Sequence, residues 1–208
     1  MKLVKSIYSN MLSIFNYPYI PKEIMNNLEG PVLLHISDTP VGIYSYIFRV
    51  VNILKPEFII HTGDMADNIK LENYKSKICL YSCEVKKLIE GLEKNENSKV
   101  YYVLGNHDDY ETVNKLTKRG IIIQNGIIDI DDYKFAVSHY HKECSYEVDF
   151  NLYGHSFDPG HYKNKDTIGL NGVLNINIID LSIGNIFHLD YPVGTNRLRL
   201  MEPGKISL

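Results

Sequence analysis

FIIHTGDMAD, residues 58–67, is the stretch on which the fold turns. Phe58, Ile59 and Ile60 lead through His61 and Thr62 as a short apolar run that reads as a buried β-strand. Gly63 then frees the backbone to turn. Asp64 therefore stands at a strand's carboxyl end, where open α/β proteins place their chemistry, and Asp67 follows three residues on. His61 lies three residues before Asp64, an offset that puts it on the opposite face of a strand. It reads as a core histidine, as does His35 before Asp38.

Outward from this stretch the pattern repeats. Pro31 to Ser37 (PVLLHIS) reads as a strand ending at Asp38. Ile43, Ile47, Val50, Val51 and Leu54 recur at helical spacing over residues 41–54, and Pro56 breaks that helix. A second helix is predicted from Tyr74 to Leu92, with Ile78, Tyr81, Val85, Leu88 and Leu92 on one face. Val100 to Leu104 is a third strand, running into Gly105-Asn106-His107-Asp108, with a helix around Tyr110 to Lys118. This β-α-β-α-β order implies parallel strands with right-handed crossovers. After Gly120 the text changes to short strands: Ile121–Ile123, Ile127–Ile130, Tyr133–Ser138, Phe150–Tyr153, Val173–Ile179 and Ile186–Leu189. His139 closes the third of these, and Gly154-His155-Ser156-Phe157 follows the fourth. The predicted class is α/β, with a β-rich C-terminal half and a site where the halves meet.

Bulk properties narrow the function. A chain of 208 residues with 44% hydrophobic and 23% charged residues is of ordinary globular composition. Its net charge of -3, without a basic block, argues against a nucleic-acid surface or an anionic membrane as partner. No apolar run approaches a membrane span. Three cysteines, Cys79, Cys83 and Cys144, suit reduced thiols in a reducing compartment, so a cytoplasmic location is expected. Residues 1–29 are expected to form a helical appendage, with Leu3, Val4, Ile7, Met11, Leu12 and Ile14 on one helix face, and residues 30–208 the functional domain.

Phosphoester hydrolysis near neutral pH needs a nucleophile made from water, neutralisation of phosphate oxygens and a proton for the leaving oxygen. Carboxylates, an amide and imidazoles around divalent metal supply the first two, and a free histidine supplies the third. Gly-Asp-x-x-Asp alone is weak, and Gly-Asn-His-Asp is moderately specific. Their order after predicted strands, with Asp38 upstream and His139 and His155 downstream, is strong. On these residues the chain resembles the calcineurin-like metallophosphoesterase superfamily over about residues 31–190. That family's pattern is Asp-x-His, Gly-Asp-x-x-Asp/Asn, Gly-Asn-His-Asp/Glu, a lone His and Gly-His-x-His. The resemblance implies a helix-flanked α/β/β/α sandwich in which Asp64, Asn106, His139 and His155 hold one metal. Asp64 would bridge to a second metal held in part by Asp38. His107 would contact the phosphate and assist the leaving group, with Asp67 orienting it and keeping it cationic.

Two departures fall on the second metal. Asp38-Thr39-Pro40 replaces Asp-x-His, and Gly154-His155-Ser156-Phe157 replaces Gly-His-x-His. One site is complete and the other is reduced to Asp38 and Asp64. His141, Asp158 and His161 are the nearby candidates for a replacement ligand. The expected cofactor is one or two divalent ions, manganese first, with iron, zinc and nickel as alternatives. The expected substrate is a small phosphomonoester or phosphodiester, and Tyr44, Tyr110, Tyr140, Tyr153 and Tyr162 lie near the motifs as stacking candidates for a base. The competing reading is a non-catalytic binding or scaffold protein on the same fold, including a nucleotide binder.

Overall fold

Apolar runs three to five residues long become strands here, and the two longer amphipathic runs become helices. The computed structural model describes residues 17–143 and 147–201. The helix expected over the first fifteen residues and the Cys144 thiol lie outside them. A short helix α1 (Lys22–Asn26) leads into the first sheet. Strands β1 (Val32–Ile36), β2 (Phe58–His61), β3 (Lys99–Val103) and β4 (Ile121–Ile123) run parallel, in register Leu34 to Ile59 to Val100. Helix α2 (Tyr44–Leu54) links β1 to β2, and α3 (Ile78–Leu92) links β2 to β3. Ile47, Val50 and Val51 of α2 and Val85, Leu88 and Leu92 of α3 bury against Leu34, Ile36, Ile59 and Val100. Each such side chain contributes roughly 1.5–3 kcal/mol by leaving water.

Helix α4 (Tyr110–Leu116) follows β3, with Asp109 accepting a hydrogen bond from the Thr112 amide as its cap. The second sheet has the order β5-β6-β7-β9-β8, from β5 (Gly126–Ile130), β6 (Tyr133–Val137), β7 (Phe150–Tyr153), β8 (Tyr162–Asn164) and β9 (Thr167–Asn171). Its Phe135, Val137, Phe150, Leu152 and Leu170 pack against Leu33, Ile60, Tyr101 and Val103 from the inner face of the first sheet. The rings of Phe135 and Phe150 stack with centroids 5.0 Å apart. Strands β10 (Ile176–Asp180) and β11 (Ile186–Leu189) then return to the first sheet, β10 antiparallel to β1, and α5 (Thr195–Leu198) ends the described chain.

The expected α/β order and two-sheet architecture are present. Three details differ from the sequence reading. The β-rich half is divided: β4 extends the parallel sheet and β10–β11 return to it, because a parallel sheet with one face on helices and one on a second sheet has no wet face. The hairpin β8–β9 was not expected, since its YKN and TIGLN segments carry too little apolar alternation to register. The strand predicted from Val173 starts at Ile176, after a loop anchored by the Val173 amide donating to Asn171 Oδ1.

Candidate metal centre

Five turns bring the motif residues together. Asp38, Asp64 and Asn106 follow β1, β2 and β3, and His139 and His155 follow β6 and β7, which pair parallel. All five therefore emerge at carboxyl ends of strands, on one rim of the sandwich. Three of them sit in the left-handed backbone region, Asp38 at φ 50°, Asp64 at φ 57° and His155 at φ 68°. Non-glycine residues hold that conformation only where surrounding structure enforces it. Gly105 is one enforcer, because a Cβ there would overlap the Asp64 carboxylate. Gly154 is another, pressed against Ser37 and the Asp38 carboxylate.

Three side chains converge on Nε2 of His139. Asn106 Oδ1 lies 3.1 Å from it, His155 Nδ1 3.2 Å and Asp64 Oδ2 3.4 Å. Ligand atoms of Asp64, His139 and His155 all lie within 4.8 Å of one another. The Thr62 carbonyl accepts from Nδ1 of His139 at 2.7 Å, so a neutral His139 turns its lone pair toward the cluster. Crowding of acceptors around one point calls for a positive charge at its centre. A proton on His139 meets that need without metal: burial opposes it, but hydrogen bonding and attraction from Asp64, with help from Asp38, push this imidazole up to about 9. A divalent cation meets it equally, and one amide oxygen, one carboxylate and two imidazoles are a donor set for manganese, iron, zinc or nickel. The residues present fit a single ion.

The second position expected at Asp38 and Asp64 has neither of the two histidines of the family pattern, and a second group of ligand atoms within 4.8 Å of one another is formed instead by Asp64, Asp67 and His107. Pro40 caps the turn Val41–Ile43 and offers no donor, and Phe157 is half-buried. The Asp38 carboxylate accepts from the Ser37 hydroxyl and from the His155 amide, and burial together with Asp64 pushes its pKa up. Of the candidate replacements, Asp158 is exposed, with its amide donating to Ser156 Oγ, and the two histidines are engaged elsewhere. His141 packs edge-on against Tyr153 and Tyr162, and His161 stacks on His188 while bonding Asn175. His35 and His61 are core histidines as expected, bonded to Thr62 and Thr39 and held near 3 by burial.

His107 is buried beside Asn106, and its amide donates to Asp64 Oδ1 at 2.9 Å. The hydrogen bond expected from Asp67 to this imidazole is not formed. Asp67 Oδ1 instead accepts from Lys70 Nζ at 2.5 Å, and its buried Oδ2 has no partner. Burial lowers the His107 pKa, Asp64 partly offsets this, and Lys70 lowers it further, the opposite of the upward shift expected from Asp67.

Three contributors escaped the sequence reading. Glu72 Oε2 accepts from Asn106 Nδ2 at 2.6 Å and so aims the amide oxygen at His139. Asp108 accepts from the amides of Asp64, Met65 and Gly105 and from the Tyr81 hydroxyl, tying the turns after β2 and β3 together. Arg199 is fully buried beneath the β1 turn, donating to the carbonyls of Asp38, Ser37 and Val173. Only Asp108 carried a signal, as the last residue of Gly-Asn-His-Asp. Glu72 and Arg199 lie in loops and turns with no motif.

A family model for calcineurin-like phosphoesterases matches residues 31–202. The chain belongs to that family. Membership supports phosphoester hydrolysis in general, in a superfamily whose members use divalent metals. Two solved structures share the fold at low identity. An archaeal phosphodiesterase is 22% identical with a TM-score of 0.56, covering 76% of this chain and 99% of its own. The phosphoesterase Yfce from E. coli is 16% identical with a TM-score of 0.52, covering 77% and 98%. No curated protein matches the sequence significantly. No helix among the described residues is long and apolar enough to cross a membrane.

Proposed function

We propose that this family member hydrolyses a small phosphomonoester or phosphodiester with one divalent ion, manganese first, held by Asp64, Asn106, His139 and His155. The observation that supports this reading is the convergence of the other three on Nε2 of His139. An ion held there supplies charge for phosphate oxygens and acidifies the attacking water.

The remaining steps fall to side chains. Asn106 adds an oxygen donor without adding negative charge, and Glu72 keeps it aimed. His107 projects from the same turn and meets the substrate side. Burial lowers the proton affinity of its imidazole in the free protein, and a bound phosphate raises it. The leaving oxygen then takes a proton from His107 as its bond to phosphorus breaks. Tyr140 is exposed, with its ring 4.3 Å from that of His155, and is the tyrosine of the five candidates best placed to stack on a base. Tyr44 is instead buried, its hydroxyl donating to the Met65 carbonyl. Free, exposed thiols at Cys79 and Cys83 support the cytoplasmic placement.

The alternative, a binding or scaffold protein on the retained fold, leaves His107 without a task. The two readings separate in one assay: hydrolysis of bis(p-nitrophenyl) phosphate by metal-stripped protein with Mn²⁺ restored, beside His107→Ala. Metal-dependent turnover that falls roughly 100-fold or more in the variant supports the enzyme. Tight Mn²⁺ binding without turnover supports the binding protein.

A further inference from the structure

We propose that the Lys70 ammonium stands in for the missing second metal ion and takes a phosphate oxygen of the substrate. This rests on the single-ion reading above and extends it to how the substrate is held.

Three observations carry it. The first is the inventory of donors: the positions that would complete a second metal site hold Pro40 and Phe157, while Asp38, Asp64 and Asp67 remain, all essentially without solvent exposure. Three buried carboxylates at one rim need cations or protons beside them to be tolerated. The second is where a cation is found. Lys70 Nζ lies 2.5 Å from Asp67 Oδ1, with its side chain 14% exposed. Asp67, Asp64 and His107 place ligand atoms within 4.8 Å of one another, and Lys70 is the cation paired to this group through Asp67. Lys70 holds this place with φ 52°, a left-handed conformation at the end of the turn Asp67–Ile69. The third is Asp67 itself. Its Oδ2 is buried with no partner, so the carboxylate fixes Lys70 with one oxygen and keeps the other free.

A second fixed cation backs the first. The Arg199 guanidinium lies 4.3 Å over the Tyr191 ring and donates to the Asp38 carbonyl at 2.7 Å, with no carboxylate partner among the described residues. It lies fully buried beneath the turn after β1, where no substrate reaches. Lys70 is the partly exposed one of the two. A lysine binds phosphate as a mobile point charge and does not require the ligand geometry that a metal imposes.

The test compares the full-length protein with Lys70→Gln and Lys70→Arg. Mn²⁺ and then inorganic phosphate are titrated calorimetrically, and bis(p-nitrophenyl) phosphate kinetics are measured beside them. One Mn²⁺ equivalent is expected in all three proteins. Phosphate should bind the Mn²⁺-loaded Lys70→Gln protein roughly 10- to 100-fold more weakly, with Lys70→Arg restoring most of the loss. The kcat/KM should follow phosphate affinity. Unchanged phosphate affinity in Lys70→Gln, or a second Mn²⁺ equivalent in the unsubstituted protein, overturns the proposal. Phosphate binding is read without turnover, so an inactive protein that still loses phosphate affinity with Lys70 would overturn the hydrolase reading alone.

Discussion

Both ends of the Asn106 amide are committed, Nδ2 to Glu72 at 2.6 Å and Oδ1 toward His139 Nε2 at 3.1 Å. Glu72→Ala releases one end, and the amide can then rotate its nitrogen toward the cluster. Mn²⁺ affinity should fall about 10-fold, with the melting temperature little changed because Glu72 is exposed. Competition against a fluorescent chelator measures this directly. His139 gives a pH prediction of definite sign. Its folded pKa of about 9 lies above the ordinary 6.5, so its pairing with Asp64 stabilises the metal-free protein fully below pH 6.5. That contribution is lost as pH rises through about 9, a fall of about 3 kcal/mol. Urea unfolding of chelator-treated protein at pH 6 and pH 9.5 should show the fall. Saturating Mn²⁺ should reverse the trend, because the ion binds the deprotonated imidazole.

Among the elements, the turns after β2 and β3 depend on each other through Asp108. Its carboxylate takes three backbone amides and the Tyr81 hydroxyl, and no solvent replaces it if it is removed. Asp108→Ala should therefore cost about 3 kcal/mol in chemical denaturation and weaken Mn²⁺ binding together with it. The elements were legible to different degrees. Strands β1, β2 and β3 and helices α2 and α3 could be read within a few residues, because buried parallel strands and one-sided helices leave strong, distinct periodicities. The β8–β9 hairpin could not, since Tyr162–Asn164 lies half in solvent and Gly169 interrupts the apolar pattern. At the rim, the meeting of Asp64, Asn106, His139 and His155 was legible from strand-end motifs. The switch of Asp67 from His107 to Lys70 was not, because a lysine three residues on in a turn reads as a solvated charge until the structure shows it 14% exposed.

Across the whole molecule, the two sheets matter for what they align. Parallel pairing of β1, β2 and β3 and of β6 and β7 puts five carboxyl ends on one rim, so residues from 38 to 155 share one cluster. A net charge of -3 gives no long-range attraction for an anionic phosphoester. The pull must be local, from one ion, Lys70 and the retained imidazoles. Two groups of ligand atoms meet at this rim among the described residues, Asp64 with His139 and His155 and Asp64 with Asp67 and His107. The decisive measurement is the dependence of bis(p-nitrophenyl) phosphate hydrolysis on Mn²⁺ equivalents added to metal-stripped protein. Turnover that rises linearly and saturates at one equivalent is the expected result. Turnover that appears only with the second equivalent, or none at any loading, would contradict a single-ion phosphoesterase.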